Sequence, residues 1–205
     1  GEYLVNFIPV GGSGGAFQCG DSSNSRTEII IDGCNFEGNR AYHFGGAICL
    51  LSSPRNEIIN SNFINNSAPE GGGAVYLEAL NYTSSGVYYG MMEECIISNC
   101  SFNSNSDGSN QNGHAIYTNF THKDAETIFR ISNCNFTDDI KLDQDNSMIG
   151  GYSILVDAPQ LIFNDSKIEF TSVEKSTSGL KVDLSTKTFT IDTCKFINCK
   201  SLLAA

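Results

Sequence analysis

Apolar residues along this 205-residue chain do not keep a helical period; they come in short runs in which every second residue is apolar. Ile29-x-Ile31, Cys95-x-Ile97, Phe129-x-Ile131 and Phe189-x-Ile191 are such runs. Each is followed, after one step of three residues, by a second: Cys34-x-Phe36, Cys100-x-Phe102, Cys134-x-Phe136 and Cys194-x-Phe196. A period of two keeps side chains on one face of a strand, and the step of three breaks that phase. Asp32-Gly33, Ser98-Asn99, Ser132-Asn133 and Asp192-Thr193 stand at the break, and these residue types suit left-handed or turn backbone. The pattern predicts two strands joined by a corner, both with their apolar residues inward.

The unit recurs. Phe36, Phe63, Phe102, Phe136, Phe170 and Phe196 lie 26 to 39 residues apart, a spacing typical of solenoids. Aligned on these Phe residues, the position five before is Ile31, Ile58, Ile97, Ile131 and Ile191, with Asp165 in the fifth copy. The position seven before is Ile29, Cys95, Phe129, Phe163 and Phe189, with Asn56 in the second. A second signature alternates with the first: Gly14-Gly15-Ala16-Phe17, Gly45-Gly46-Ala47-Ile48 and Gly72-Gly73-Ala74-Val75, with weaker copies at Gly113-His114-Ala115-Ile116, Gly150-Gly151-Tyr152 and Gly179-Leu180. It supplies a third strand per coil. The expected fold is all-β, a right-handed parallel β-helix of about six coils stacked at ~4.8 Å into a rod of roughly 29 Å. Residues 1–205 are read as a single β-helix domain. Residue 1 is Gly, with no signal peptide or apolar run of ~18 residues in view. The chain is therefore expected to be a segment of a larger protein, with no transmembrane segment of its own.

Charge and cysteine content narrow the chemistry. The net charge of -11, with Lys and Arg scattered singly, excludes nucleic acid as a partner. Of the eight cysteines, Cys34, Cys100, Cys134 and Cys194 share one inward column. Stacked residues stand nearly 5 Å apart whereas a disulfide needs Cβ atoms near ~3.8 Å, so buried reduced thiols acting as small apolar residues are expected. With only His43, His114 and His122, no zinc site and no other cofactor is expected.

The alternation of Gly-Gly-Ala-apolar with Phe-x-x-Asn, as at Phe36 to Asn39, Phe63 to Asn66 and Phe102 to Asn105, resembles the repeats of the polymorphic outer membrane protein (Pmp) family. Those repeats occur in bacterial autotransporter passenger domains, with similar ones in large surface proteins of some protists. The likeness runs over roughly residues 11 to 200 and weakens after Ala115, with Asp139, Val173 and Cys199 in place of the Asn. It implies a β-helical adhesin at the cell surface, with a protein or glycan partner. Physically, the Gly pairs allow close approach of coils, Phe fills the interior, and Asn39, Asn66 and Asn105 are expected to stack as an amide ladder.

No residue set reads as catalytic. Asp138-Asp139, Asp143, Asp145 and Glu93-Glu94 are the acids a glycoside hydrolase or pectin-lyase-like enzyme could use, but the pattern places them in solvated turns and insertions. Asp143-x-Asp145 lacks the Gly and terminal Glu of a calcium loop. Asn65, Asn81, Asn99, Asn119, Asn135 and Asn164 open N-x-Ser/Thr sequons and are candidate glycosylation sites. The longest insertion, 78–94, carries Tyr82, Tyr88, Tyr89, Met91 and Met92 as a candidate binding loop. Tyr3 to Ile8 reads as a strand that could begin the stack, and coil sequence is still in progress at the other end. The reading is a non-enzymatic adhesive or structural rod; the alternatives are a filament subunit associating end to end and a polysaccharide-processing enzyme.

Overall fold

The computed structural model describes residues 12–20, 27–51, 53–79, 92–108, 112–120, 127–139, 151–171, 178–183 and 186–200, together with the backbone of 82–84 and 87–89. These residues include no helix and form three six-stranded parallel sheets wound into six coils, a parallel β-helix. Sheet 1 contains β1 (Phe17–Cys19), β4 (Ile48–Leu51), β8 (Val75–Ala79), β14 (Gly113–Phe120), β17 (Tyr152–Val156) and β20 (Ser178–Val182). Sheet 2 contains β2 (Ile29–Asp32), β5 (Arg55–Ile59), β11 (Glu94–Ser98), β15 (Ile128–Ser132), β18 (Gln160–Asn164) and β21 (Thr188–Asp192). Sheet 3 contains β3 (Asn35–Glu37), β6 (Asn62–Ile64), β12 (Ser101–Asn103), β16 (Asn135–Thr137), β19 (Lys167–Glu169) and β22 (Lys195–Ile197). A small parallel pair, β7 (Ser67–Ala68) and β13 (Ser106–Asp107), and an antiparallel hairpin, β9 (Tyr82–Ser84) and β10 (Val87–Tyr89), complete the set.

The register follows the sequence columns through four coils. Phe36, Phe63, Phe102 and Phe136 pair in turn, and their rings stack face to face at 5.0, 4.7 and 4.6 Å between centroids. The phase break is a corner of left-handed backbone in all six coils: Gly33, Asn60, Asn99, Asn133, Asp165 and Thr193 have φ between 49 and 63°. Asn and Asp tolerate this region because their short side chains bond locally. Asn60, Asn99 and Asn133 also link outside the rod, since Asn60 Nδ2 donates to Asp32, Asn99 Nδ2 to Asn60 and Asn133 Nδ2 to Asn99.

The fifth coil corrects the alignment. Ile168, not Phe170, pairs with Phe136 and Phe196. Its inward residues on sheet 2 are Leu161 and Phe163, and Asp165 is the corner residue rather than a break in the Ile column. Val173 accordingly drops out of the Asn column. Phe170 stands where Gly38, Asn65, Ser104, Asp138 and Asn198 turn through positive φ in other coils. It has no positive φ and is buried instead.

The cysteine column also does more than fill space. Each thiol donates to the carbonyl two residues back at the corner: Cys34 to Asp32, Cys100 to Ser98, Cys134 to Ser132 and Cys194 to Asp192, at 3.1–3.4 Å. Ser61 and Ser166 fill the same column and donate likewise to Ile59 and Asn164. They also accept from the backbone N–H of Cys34 and Cys134. All eight cysteines are free. Cys134→Ser is therefore expected to change stability by less than about 0.5 kcal/mol, whereas Cys134→Val, which takes the thiol's bond from Ser132 O and leaves that carbonyl only the Asn99 N–H, costs about 1 kcal/mol. Chemical denaturation of the two variants checks this, and equal losses would show that the thiol is only filler.

The Gly-Gly-Ala segments bring successive coils into near contact. Gly45 turns at φ 63°, and a Cβ on Gly46 would strike the carbonyl of Gly73 in the next coil. His114 occupies that second-Gly position in the fourth coil. The register between β14 and β17 slips there by one residue, a bulge that lets the imidazole turn inward against Asp107 at 3.0 Å, both side chains fully buried. At the last coil the inward residues lie open: Phe189, Ile191 and Phe196 are 59, 44 and 44% exposed, against 0–1% for Leu161, Phe163 and Ile168.

Candidate functional site

Alternation within sheet 1 sends Val75 and Leu77 inward, so Tyr76 and Glu78 point outward. Register then aligns Gln18, Cys49, Tyr76, Tyr117, Leu155 and Lys181 in one outer column. Phe44, from the corner before β4, stacks on Tyr76 at 4.4 Å and reaches Tyr117 at 6.3 Å, while Tyr76 and Tyr117 are 5.3 Å apart. The Tyr117 ring lies so close over Gly71 that an added Cβ would collide with it. Next to this cluster, Tyr42 is 75% exposed and meets His43 edge-on, and His43 Nδ1 pairs with Glu70 at 2.6 Å. Phe44 and Tyr117 keep part of their rings in solvent; Tyr76 is covered.

The rings are bordered by polar groups in the adjoining outer column. Asn119 Nδ2 donates to Glu78 Oε1 at 3.3 Å. Burial raises the Glu78 carboxyl above its ordinary range, partly opposed by a hydrogen bond from Tyr76. Burial and then the Glu78 charge push the Cys49 thiol up to about 12. The Tyr117 hydroxyl is raised by burial and by the charges of Asp157, Glu78 and Asp183. Farther along, Lys181 Nζ sits 5.0 Å over the Tyr152 ring. Flat rings edged by carboxylate and amide suit hydrogen-bonded docking of a protein or sugar surface.

The residues singled out in the sequence disperse. Met92 is 1% exposed and belongs to the core, which removes it from any surface patch. Tyr82, Tyr88 and Tyr89 lie on the β9–β10 hairpin, where only the backbone is described; Met91 lies outside the described residues. Among the sequons, Asn65, Asn99 and Asn135 are exposed, Asn99 with its amide engaged by Asn60 and Asn133, and Asn135 on the outer face of β16 as alternation requires. Asn119 and Asn164 are half-buried, with their amides engaged by Glu78 and Asp165, and Asn81 is outside the described residues. Glu94 pairs with Arg130 at 3.1 Å. Asp143 and Asp145 lie outside the described residues, whereas Asp139, read as a solvated turn acid, is fully buried. The outer aromatic column was missed although its signal was present, since any residue between two inward positions must face out. No group of three or more potential metal ligands occurs among the described residues, nor any helix long and apolar enough to cross a membrane.

No curated protein and no solved structure matches this chain. The repeat itself is recognised. Residues 33–50 and 60–78, each running from the sheet 2 to sheet 3 corner through the Phe-x-x-Asn segment to the Gly-Gly-Ala strand, match the Chlamydia polymorphic membrane protein repeat, so the chain carries two adjacent copies of it.

Proposed function

We propose that this chain is the rod of a cell-surface protein, a single β-helix over residues 1–205 that catalyses nothing and presents its outer faces to a protein or glycan partner. The observation that carries this reading is the Phe44–Tyr76–Tyr117 cluster, aromatic and outward-facing on a rod whose other outer positions are largely polar. The repeat type supports the surface location, since its name is that of membrane proteins. The β9–β10 hairpin, which carries Tyr82, Tyr88 and Tyr89, follows β8 in the chain. Asn65 and Asn135 are the sequons best placed to carry a glycan.

The test is binding of the purified rod to arrays of immobilised glycans and cell-surface proteins. Tyr42→Ala combined with Tyr117→Ala is expected to weaken capture at least tenfold while leaving the thermal midpoint within a few degrees of the parent. Undiminished binding by the double variant would move the partner site off this face.

A further inference from the structure

The amide ladder of sheet 3 ends on an acid. Asn39 Nδ2 donates to Asn66 Oδ1 at 2.8 Å, and Asn66 Nδ2 to Asn105 Oδ1 at 3.0 Å. Asn105 Nδ2 donates to Asp139 Oδ1 at 2.9 Å, and the same Oδ1 accepts the Asn105 backbone N–H. Asn66 and Asn105 each use Nδ2 a second time, donating to the Phe carbonyl of the preceding coil: Phe36 O and Phe63 O. In Asp139 the atom replacing that nitrogen is Oδ2, buried and without a hydrogen-bond partner. By the repeat, the group it faces is the carbonyl of Phe102. An ionised Oδ2 would set a negative oxygen against a carbonyl dipole in a dry interior, which is costly. A protonated Oδ2 restores the donor that Asn66 and Asn105 supply in their rungs.

We infer that Asp139 is held as a neutral carboxylic acid in the folded rod, its Oδ2 proton standing in for an amide N–H, so that release of this proton to solvent loosens the joint between the third and fourth coils. Burial supports this by raising the carboxyl from 3.8 to about 7, the bonds from Asn105 opposing and the neighbouring Asp138 charge adding to the rise. Ser153 Oγ of β17 also faces the carboxyl and eases the shift, without closing a hydrogen bond to Oδ2. The folded acid is thus weaker than the unfolded one. Its stabilising contribution is whole below about pH 4 and is lost as pH rises to about 7. A rod built this way is firmer in mildly acidic surroundings and slackens at a defined rung above neutrality.

The test compares parent and Asp139→Asn across pH 5 to 8 by thermal unfolding. The amide keeps its donor at every pH, so the parent should lose about 5 °C or more relative to the variant over that range. The Asp107–His114 pair is present in both proteins and drops out of the comparison. Parallel pH profiles for the two proteins would overturn the inference. A second measurement needs no variant. Carbon NMR of aspartate-labelled parent should show one carboxyl titrating near neutrality, and titration of every described carboxyl below about pH 5 also overturns it.

Discussion

Phe102→Ala is expected to destabilise the rod by about 3–5 kcal/mol, the largest loss of any single truncation in the interior. Phe102 is fully buried, lies mid-way along the ladder and stacks on both sides, on Phe63 at 4.7 Å and on Phe136 at 4.6 Å. Removing the ring deletes two stacking contacts and opens a void that neither neighbour can enter, because each is pinned by its own strand register. Position along the stack should set the size of the effect. Phe36 has one stacking partner in its column and is only half-buried, and Phe196 is 44% exposed. Phe36→Ala should cost about half as much and Phe196→Ala under about 1.5 kcal/mol. A solenoid's stability is close to a sum of coil and interface terms, so hydrogen exchange should show the Phe102→Ala loss concentrated in β6, β12 and β16. Equal losses at all three positions, or a loss spread evenly over the six coils, would contradict the ladder as the organising core.

The columns that position Phe102 were legible because each repeats a backbone demand as well as a side-chain type. An Ile-to-Cys step of three with Asn or Gly between can be met only by a corner, and the left-handed backbone at Asn60, Asn99 and Asn133 is that corner. The fifth coil was misread because alignment rested on Phe, the largest residue. Phe170 lies two positions beyond Ile168 and offers the eye a better Phe than the coil contains, while Ser166 hides the cysteine column. Had the corner donor been the anchor, Ser61 and Ser166 would have aligned with the thiols, since a hydroxyl and a thiol make the same bond to the corner carbonyl.

The candidate site was less legible for a different reason. Phe44, Tyr76 and Tyr117 come from three coils, and their contact depends on insertion lengths between coils, which vary freely in the sequence. Asp139 shows the converse error. An acid in a turn after a strand reads as solvated, yet its register beside Asn105 puts it in the column where Asn66 and Asn105 are bonded through both ends of their amides. Column position outweighs residue type in a stack of this kind, because the neighbouring coil decides whether water has access.

The same reasoning makes Asn105→Leu the second large loss, about 3 kcal/mol. Asn105 Oδ1 accepts from Asn66 N at 3.1 Å and Asn66 Nδ2 at 3.0 Å, and Asn105 Nδ2 donates to Phe63 O at 3.0 Å and Asp139 Oδ1 at 2.9 Å. Leucine fills nearly the same volume, so no cavity follows and the cost is electrostatic. It leaves the Asn66 backbone N–H buried without a partner, at roughly 1–3 kcal/mol, and takes from the Phe63 carbonyl its side-chain donor, at about 1 kcal/mol, while the parallel pairing of β6 with β12 is kept. Asn66 Nδ2 retains its bond to Phe36 O, which limits the damage on that side. Asn39 is half-buried and terminates the described ladder, so Asn39→Leu exposes its orphaned groups to water and should cost under about 1.5 kcal/mol. Denaturation gives the totals, and exchange of the Asn66 amide proton separates the mechanism from simple misfit. That proton should exchange far faster in Asn105→Leu and at the parental rate relative to global unfolding in Phe102→Ala, which leaves its acceptor in place. An Asn66 amide still protected in Asn105→Leu would mean the ladder's bonds are replaceable and that packing alone holds the coils in register.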